Sequence, residues 1–179
     1  MSDKRVHLRG SVSRHGEATA KLRSPGDAVF VERGVTRAIV FLCPCGCGES
    51  LPINLDSRAG PAWRLYLEHP EGVTLFPSVW RESGCKSHFI VWRGRFYMIG
   101  AYDEDFERTS LSPDVWRALV SSIQDALPAE GLMSFSDIAE KLNAIPWDVL
   151  LICRQLVKAG AAREGKGQQQ GHFGHARRV

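Results

Sequence analysis

Three cysteines stand at alternate positions in one short stretch of the chain, and a cysteine and a histidine follow later. The first stretch reads FLCPCGCGES and supplies Cys43, Cys45 and Cys47, and the second reads SGCKSHF and supplies Cys85 and His88 at C-x-x-H spacing. Thiolate sulfur and imidazole nitrogen are ligands that Zn²⁺ takes in tetrahedral sets of four. Two short ligand-bearing turns therefore predict a zinc site that joins two parts of the chain.

These five candidate ligands compete for four positions. One of the three early thiols is therefore not expected to bind the metal. It is either spare, or it donates a hydrogen bond to one of the four ligands. Cys43 and Cys47 are the candidates for that place, because alternate residues of an extended chain share a face. An iron–sulfur centre of the Rieske type is less favoured, since the first turn contains no histidine. A thiolate-rich set also favours a structural zinc over a catalytic one, which would keep a position for water.

The serines near His88 belong to no motif with a known mechanism. Ser78, Ser83 and Ser87 lie close to it in sequence, but none stands in a G-x-S-x-G elbow. The chain also lacks the signature of the zinc deaminases, a phosphate-binding loop and a dinucleotide fingerprint. Sequence alone therefore assigns no catalytic residue.

Strand-length segments surround the two cysteine-bearing turns. Over residues 1–104, β-branched and aromatic stretches alternate with turn residues, which is typical of antiparallel sheets. The segments are AVFVERG, TRAIVFLC, LPINLD, WRLYLEH, VTLFPSV, HFIVWRG and RFYMIGA, of which WRLYLEH is also short enough to be a helical turn. Arg93-Gly94, between the last two segments, predicts a two-residue hairpin turn. Zinc would tie the strand that ends at Leu42 to the hairpin that starts at His88.

The period becomes helical over residues 105–179. Ser112-Pro113 predicts the start of one helix, Ser134 with Asp137 resembles a capping box for a second, and Pro146 opens a third. The stretches AAREGKG and HFGHARRV then predict a hairpin around the tip QQQG. Three helices followed by a hairpin is the order of a winged helix. The predicted class is therefore α+β, with a metal-binding antiparallel β-domain over 1–104 and a winged-helix-like domain with a basic hairpin or tail over 105–179.

Composition and charge limit the function classes. The chain has 179 residues, 44% hydrophobic and 24% charged, with a formal net charge of +3, as expected of a globular protein without a strong bias to nucleic acid. Its apolar runs are too short to span a bilayer, and its polar start lacks the apolar stretch of a secretory signal. We therefore predict a cytoplasmic protein with reduced thiols and no membrane partner.

The third predicted helix offers a mixed rather than a basic face. A winged helix that binds DNA places this helix in the major groove, where basic and hydrogen-bonding side chains are needed. The candidate face carries Trp147, Asp148, Leu151, Arg154, Gln155 and Lys158. Nucleic-acid contact through this half stays open, but a protein partner is the favoured interpretation.

The string CPCGCG…LPINLD…AWRLYL…VTLFPSVWRESGCKSHFIVWRG resembles the domain-of-unknown-function family 6527, over Val29 to Ile99. Members of that family are encoded beside bacterial ubiquitin-like proteins and their activating and conjugating enzymes, in operons called Bub, for bacterial ubiquitination-like. The resemblance implies a metal-binding β-domain in a ubiquitin-like conjugation or deconjugation pathway that serves phage defence. Its metal pattern falls on the four cysteines and the histidine named above, and it transfers no catalytic residue.

Three functional hypotheses follow from the sequence. The leading one is a zinc-binding accessory or recognition protein whose partner is a ubiquitin-like protein or its conjugating enzymes. The second is a zinc-dependent hydrolase that processes or removes a ubiquitin-like modifier, with Glu49 or Glu82 as the base that activates a zinc-bound water. The third is a DNA-binding regulator that uses the winged helix.

Overall fold

The chain divides into two compact units, Met1–Tyr102 and Asp103–Val179. The structure is a computed structural model that describes residues 5–67, 72–99 and 111–176. The predicted domain boundary after residue 104 lies outside these described residues, as do the last basic residues of the C-terminal tail. Across the described ranges, no helix has the length and apolar character needed to cross a membrane.

The first unit contains two four-stranded sheets, with the strand orders β1-β2-β3-β4 and β5-β6-β7-β8. Its elements are β1 (His7–Val12), α1 (His15–Ala18), β2 (Asp27–Arg33), β3 (Val35–Leu42), β4 (Ser50–Asn54), β5 (Arg64–Tyr66), β6 (Thr74–Trp80), β7 (His88–Trp92) and β8 (Arg95–Met98). The seven segments predicted as strands are confirmed, including WRLYLEH, whose middle forms β5. The sheets are antiparallel except that β1 pairs with β2 in parallel.

Alternating apolar residues of both sheets form one shared core. Phe41 from the first sheet meets Phe96 from the second edge to face, with ring centroids 5.4 Å apart, and Phe89 meets Phe96 at 5.5 Å. Edge-to-face pairs of this kind stabilise a core beyond the area they bury. Cys43 belongs to the same buried cluster, so the end of β3 is anchored in the core.

The hairpin predicted at Arg93-Gly94 is confirmed. Trp92 pairs with Arg95 across it, and both turn residues have positive φ, 51° at Arg93 and 70° at Gly94. This is the backbone that a two-residue hairpin loop requires. The turn therefore fixes the register of β7 against β8.

Strand β6 is irregular in its middle. Leu75 pairs with Val91 and Val79 pairs with Phe89, so three residues of β6 stand opposite one residue of β7. Beyond this bulge Trp80 pairs with His88. Because Val79 points into the core, its neighbours on either side point to the other face of the sheet.

The second unit contains three helices and a three-stranded antiparallel sheet of order β10-β11-β9. Its elements are α2 (Pro113–Ala126), β9 (Met133–Ser134), α3 (Phe135–Leu142), α4 (Pro146–Lys158), β10 (Ala162–Glu164) and β11 (His172–His175). The hydroxyls of Ser112 and Ser134 accept hydrogen bonds from backbone N–H groups of the first turns of α2 and α3, as N-caps do. The α+β class, the helix starts and the terminal hairpin are confirmed, whereas membership in the winged-helix class stays a prediction.

Much of the helix face considered for DNA contact is not accessible. Trp147, Asp148 and Leu151 of α4 are each at most 5% exposed. A side chain must reach base edges or phosphates to recognise DNA, so these residues do not serve that role. Cys153 on the same helix is fully buried, as predicted, and burial raises the pKa of its thiol to about 12.

Candidate active site and cysteine cluster

The first cysteine-bearing turn begins where β3 leaves the core. The Cys43 N–H donates to the Glu49 carbonyl at 2.9 Å, and the Gly46 N–H donates to the Cys43 carbonyl at 3.1 Å. Gly46 and Gly48 have φ of 88° and 81°, a left-handed backbone that favours glycine. The proline- and glycine-rich sequence thus folds the chain back within seven residues and turns three thiols towards one point.

The second turn connects β6 to β7. The Arg81 N–H donates to the Ser87 carbonyl at 3.0 Å, which extends the β6–β7 ladder by one pair beyond Trp80 and His88. Inside this turn Gly84 and Lys86 both have positive φ, and Cys85 lies between them. The turn therefore presents one thiol at the end of the strand pair.

The two turns bring four thiols together. The Sγ atoms of Cys43, Cys45, Cys47 and Cys85 all lie within 4.8 Å of one another, and none of them is in a disulfide. The Sγ of Cys43 is 3.3 Å from that of Cys45 and 3.8 Å from that of Cys85. Zn–S bonds of about 2.3 Å in a tetrahedron place sulfur atoms about 3.8 Å apart. The cluster fits a four-thiolate metal site, and all three early cysteines belong to it.

Two donors surround these sulfur atoms. The Oγ of Ser87 lies 3.2 Å from the Sγ of Cys85 and 3.4 Å from that of Cys43. The Nη1 of Arg81 lies 3.2 Å from the Sγ of Cys85 and also pairs with the Glu49 carboxylate. The Ser87 hydroxyl is the main cause that lowers the pKa of Cys85 to about 6, whereas burial raises the pKa of Cys43. Such donors stabilise thiolate ligands, and the guanidinium offsets part of their negative charge.

His88, the fifth predicted ligand, lies outside the group of four. Its Nε2 is 2.9 Å from the Oγ of Ser78, because β6 and β7 direct both side chains to the same face of the sheet. Trp80 stands directly opposite His88, and its ring lies against the imidazole at 5.9 Å between centroids, with 29° between planes. Both members of the serine–histidine pair are half-buried, so the pair is in reach of a substrate.

The carbonyl of Ser78 is also held, since it accepts a hydrogen bond from the Nε1 of Trp63 at 3.3 Å. A hydroxyl bonded to an imidazole nitrogen is the arrangement of a nucleophile with its general base. The geometry supports nucleophilic acyl transfer at Ser78. Of the two carboxylates considered as bases for a zinc-bound water, Glu49 instead pairs with Arg81.

Ser78 lies close to His88 in sequence but in no local motif of a nucleophile. The usable signal lay in the strand pairing rather than in a local pattern. If PSVW and SHF are taken as the two arms at one end of a hairpin, Trp80 stands opposite His88 and Ser78 becomes its diagonal neighbour on the same face. Diagonal neighbours lie about 7–8 Å apart in their backbones, within reach of a histidine side chain.

The fold and the site define a two-sheet β-unit that carries a serine–histidine pair beside a four-cysteine cluster. A family model described as "Bacterial ubiquitination-like system serine protease (BubE)" matches residues 4–99, more than half of the chain. The chain belongs to this family. No curated protein and no solved structure matches it.

This membership places the chain in the bacterial ubiquitination-like pathway that the sequence had indicated. It also gives protein partners as the expected class, and nothing in it supports nucleic acid. The specific resemblance to family 6527, the antiviral role and the cytoplasmic location stay predictions.

Proposed function

We propose that this protein is a serine protease of a bacterial ubiquitination-like system, with Ser78 as the nucleophile and His88 as the general base. The observation that carries the proposal is the 2.9 Å contact between the Oγ of Ser78 and the Nε2 of His88 on an accessible sheet face. The family description names the same chemistry. The substrate is a peptide or isopeptide bond at the carboxyl end of a ubiquitin-like protein.

Acylation begins when Nε2 of His88 takes the proton from Oγ of Ser78 as that oxygen attacks the scissile carbonyl carbon. The C–O bond forms, the imidazolium returns its proton to the leaving amine, and the C–N bond breaks. The product amine departs and the substrate's acyl group stays on Ser78 as an ester. Trp80 covers one side of the imidazole throughout.

Deacylation repeats the same proton path with water as the nucleophile. His88 takes a proton from water, the oxygen attacks the ester carbonyl, and the proton then passes to the departing Oγ of Ser78. The products are a free carboxylate on the ubiquitin-like protein and the regenerated hydroxyl. Each step uses only Ser78, His88, the substrate and water, and no step needs an oxidant or a reductant.

The cysteine cluster would hold a zinc ion that serves the fold rather than the reaction. Four thiolates complete a tetrahedral set, and such closed sites are structural. Arg81 directly follows β6 and Ser87 directly precedes β7, so the cluster clamps the end of the strand pair that carries Ser78 and His88. We therefore favour a serine protease with a structural zinc over both the accessory-protein hypothesis and the zinc-hydrolase hypothesis.

A fluorophosphonate probe tests the nucleophile directly. We expect it to form a covalent adduct on Ser78, located by mass spectrometry of the digested protein. Ser78→Ala and His88→Ala should lose the adduct, whereas the matched control Ser83→Ala should keep it, since Ser83 lies in the exposed turn. Loss of the histidine that accepts the proton of the nucleophilic serine typically lowers the rate at least a thousandfold.

The ubiquitin-like protein of the same system, extended by several residues beyond its modification site, tests the reaction. Wild-type protein should release the extension, and Ser78→Ala should not. An adduct on another serine, or release that survives in Ser78→Ala, would refute the proposal.

A further inference from the structure

Beyond the pairing with β5, one edge of β6 beside the serine–histidine pair has no paired strand among the described residues. The strand order places β5 on one side of β6 and β7 on the other. The pairing with β5 ends where Arg64 meets Phe76, whereas the pairing with β7 continues to Trp80. Within residues 5–67, 72–99 and 111–176, no strand pairs with the segment from Pro77 to Trp80 on the β5 side.

The direction of the Trp80 backbone groups follows from the bonds around it. The His88 carbonyl accepts from the Ile99 N–H at 2.8 Å, so the backbone groups of His88 face β8 rather than β6. One residue further along, the Arg81 N–H donates to the carbonyl of Ser87, which directly precedes β7. Antiparallel strands alternate bonded and non-bonded pairs, so Trp80 and His88 form a non-bonded pair. The N–H and the C=O of Trp80 therefore point away from β7, towards the edge without a neighbour.

Two further observations agree with this direction. The Ser78 carbonyl, two residues away and of the same orientation, points to the β5 side, where Trp63 donates to it. Trp80 has 67% of its surface exposed, which is high for a tryptophan beside a folded core. No described residue bonds to the outward N–H or C=O of Trp80. Proteins usually cover or blunt such an edge, because free backbone groups accept an added strand.

We propose that this edge, from Ser78 to Trp80, binds the substrate polypeptide as an extended added strand that pairs with the N–H and C=O of Trp80. The inference rests on the proposed protease function and deepens it. Two strand residues span about 7 Å, so a segment paired at Trp80 carries its next residues past the Oγ of Ser78. The exposed indole then contacts a side chain next to the scissile bond.

The mode of binding specifies the class of substrate. Main-chain hydrogen bonds recognise extended conformation and not sequence, while the side chains on one face supply specificity. An unstructured segment can adopt the extended conformation that this short edge pairs with, whereas the inner strands of a folded sheet already have their backbone groups bonded. We therefore expect the substrate to be an unstructured segment, such as the extended tail of a ubiquitin-like protein.

Amide hydrogen exchange on Ser78→Ala tests the pairing without depending on turnover. The probe is the ubiquitin-like protein of the same system with its C-terminal extension, added to saturation. We expect exchange of the Trp80 N–H to slow about tenfold or more, because the amide gains a bonded partner. The Val79 N–H faces β7 with or without substrate and serves as the internal control, with no change expected. Unchanged exchange at Trp80 with the substrate bound would overturn the inference.

Trp80→Ala distinguishes the contribution of the backbone at position 80 to substrate binding from that of the indole. The variant keeps an N–H at position 80, so the protection should persist, while kcat/KM for the same substrate should fall about tenfold. Loss of protection in this variant would show that the indole alone binds substrate and would overturn the added strand. Absence of saturable binding to Ser78→Ala at about 1 mM, the upper end of ordinary KM values, would overturn it as well.

The two proposals fail in distinguishable ways. If the fluorophosphonate probe leaves Ser78 unmodified, the protease function fails. If Ser78 is modified and the tail is released while the Trp80 amide stays unprotected, the function stands and only the binding mode fails.

Discussion

The serine–histidine pair and the cysteine cluster share the same two strands but are built in opposite ways. Ser78 and His88 depend on strand register alone, since a single hydrogen bond joins them across β6 and β7. The cluster draws its four sulfur atoms from two separate turns and surrounds them with further donors. Under our proposal, the conspicuous cysteines stabilise the strand pair, whereas two residues without a motif, Ser78 and His88, carry out the chemistry on its face.

Metal removal is expected to have the largest effect on stability, and it tests whether the serine–histidine pair depends on the cysteine cluster. Structural zinc contributes on the order of 10 kcal/mol in small sites, so a chelator should unfold the β-unit or loosen it strongly. The Ser78 adduct should disappear with the fold and return when zinc is added back. Circular dichroism, metal analysis and fluorophosphonate labelling of the same samples measure this, and one zinc per chain is expected.

The opposite outcome would be equally informative. If labelling of Ser78 persists after the metal is removed, the strand pair keeps its register unaided and the clamp is unnecessary. Visible-region absorbance from the purified protein would instead indicate an iron–sulfur centre in the same four thiolates.

Cys43→Ser compared with Cys153→Ser sharpens the same contrast at single residues. Both thiols are fully buried, but only Cys43 lies in the cluster. We expect Cys43→Ser to lower the free energy of unfolding by more than about 4 kcal/mol and to abolish zinc binding. Cys153→Ser should cost about 1–3 kcal/mol for a buried hydroxyl and leave the zinc content at one per chain. Equal losses would mean that burial, not metal binding, explains the role of Cys43.

The sequence predicted strands β2 to β8 of the first unit because their alternation is a local signal, whereas β1 was not among the predicted segments. The cysteine-bearing turns could also be predicted, since glycines flank the thiols and the spacing of the thiols is typical of a metal site. The helix starts at Pro113 and Pro146 followed from capping rules that depend on two or three neighbouring residues. Each of these features is specified within a short window of the chain.

The serine–histidine pair could not be derived in this way, because it depends on which residue of β6 stands opposite His88. That register places Trp80 across from His88 at the two ends of a connecting turn, and no composition rule predicts it. A one-residue change of register would have sent Ser78 into the core and away from His88. The parallel pairing of β1 and the burial of Trp147 are likewise tertiary outcomes without a local signature.

Asp27 provides a comparison with a site that the polypeptide stabilises without any metal. Its buried carboxylate accepts hydrogen bonds from the N–H groups of Arg23 and Ser24 and from the Arg9 guanidinium. Burial by itself raises the pKa of Asp27, but these donors together bring the pKa below its usual value. Asp27→Asn should cost about 2 kcal/mol of unfolding free energy near pH 7 in the zinc-bound protein.

The pH dependence of that difference follows from its sign. A carboxyl whose pKa is lower in the folded state stabilises the fold above its unfolded pKa, about 3.9, and this contribution is lost as the pH falls through the folded pKa. Denaturant unfolding of both proteins should show the full difference above about pH 5 and a smaller one in more acidic solution. Zinc release in acid affects both proteins and cancels in the comparison. A difference that grows as the pH falls would contradict the assignment.

Ser87→Ala is expected to have the smallest effect on stability. It is also the most direct test of how the cysteine cluster influences the serine–histidine pair. Ser87 is adjacent to His88 in sequence, yet its hydroxyl contacts the sulfur atoms of Cys43 and Cys85 rather than the imidazole. Its removal should cost about 1 kcal/mol of stability and lower zinc affinity by about tenfold. Competition with a chromogenic chelator measures the affinity.

The exposed Ser83 provides the matched control for this variant, since Ser83→Ala removes the same atom from the same turn without a sulfur contact. With zinc in excess, Ser87→Ala should label Ser78 at close to the wild-type rate, because the strand register that sets the Ser78–His88 contact is restored once the cluster is filled. If labelling stays slow with the cluster filled while zinc affinity is unchanged, Ser87 acts on the serine–histidine pair directly. The two regions would then be one site rather than a clamp and a reaction centre.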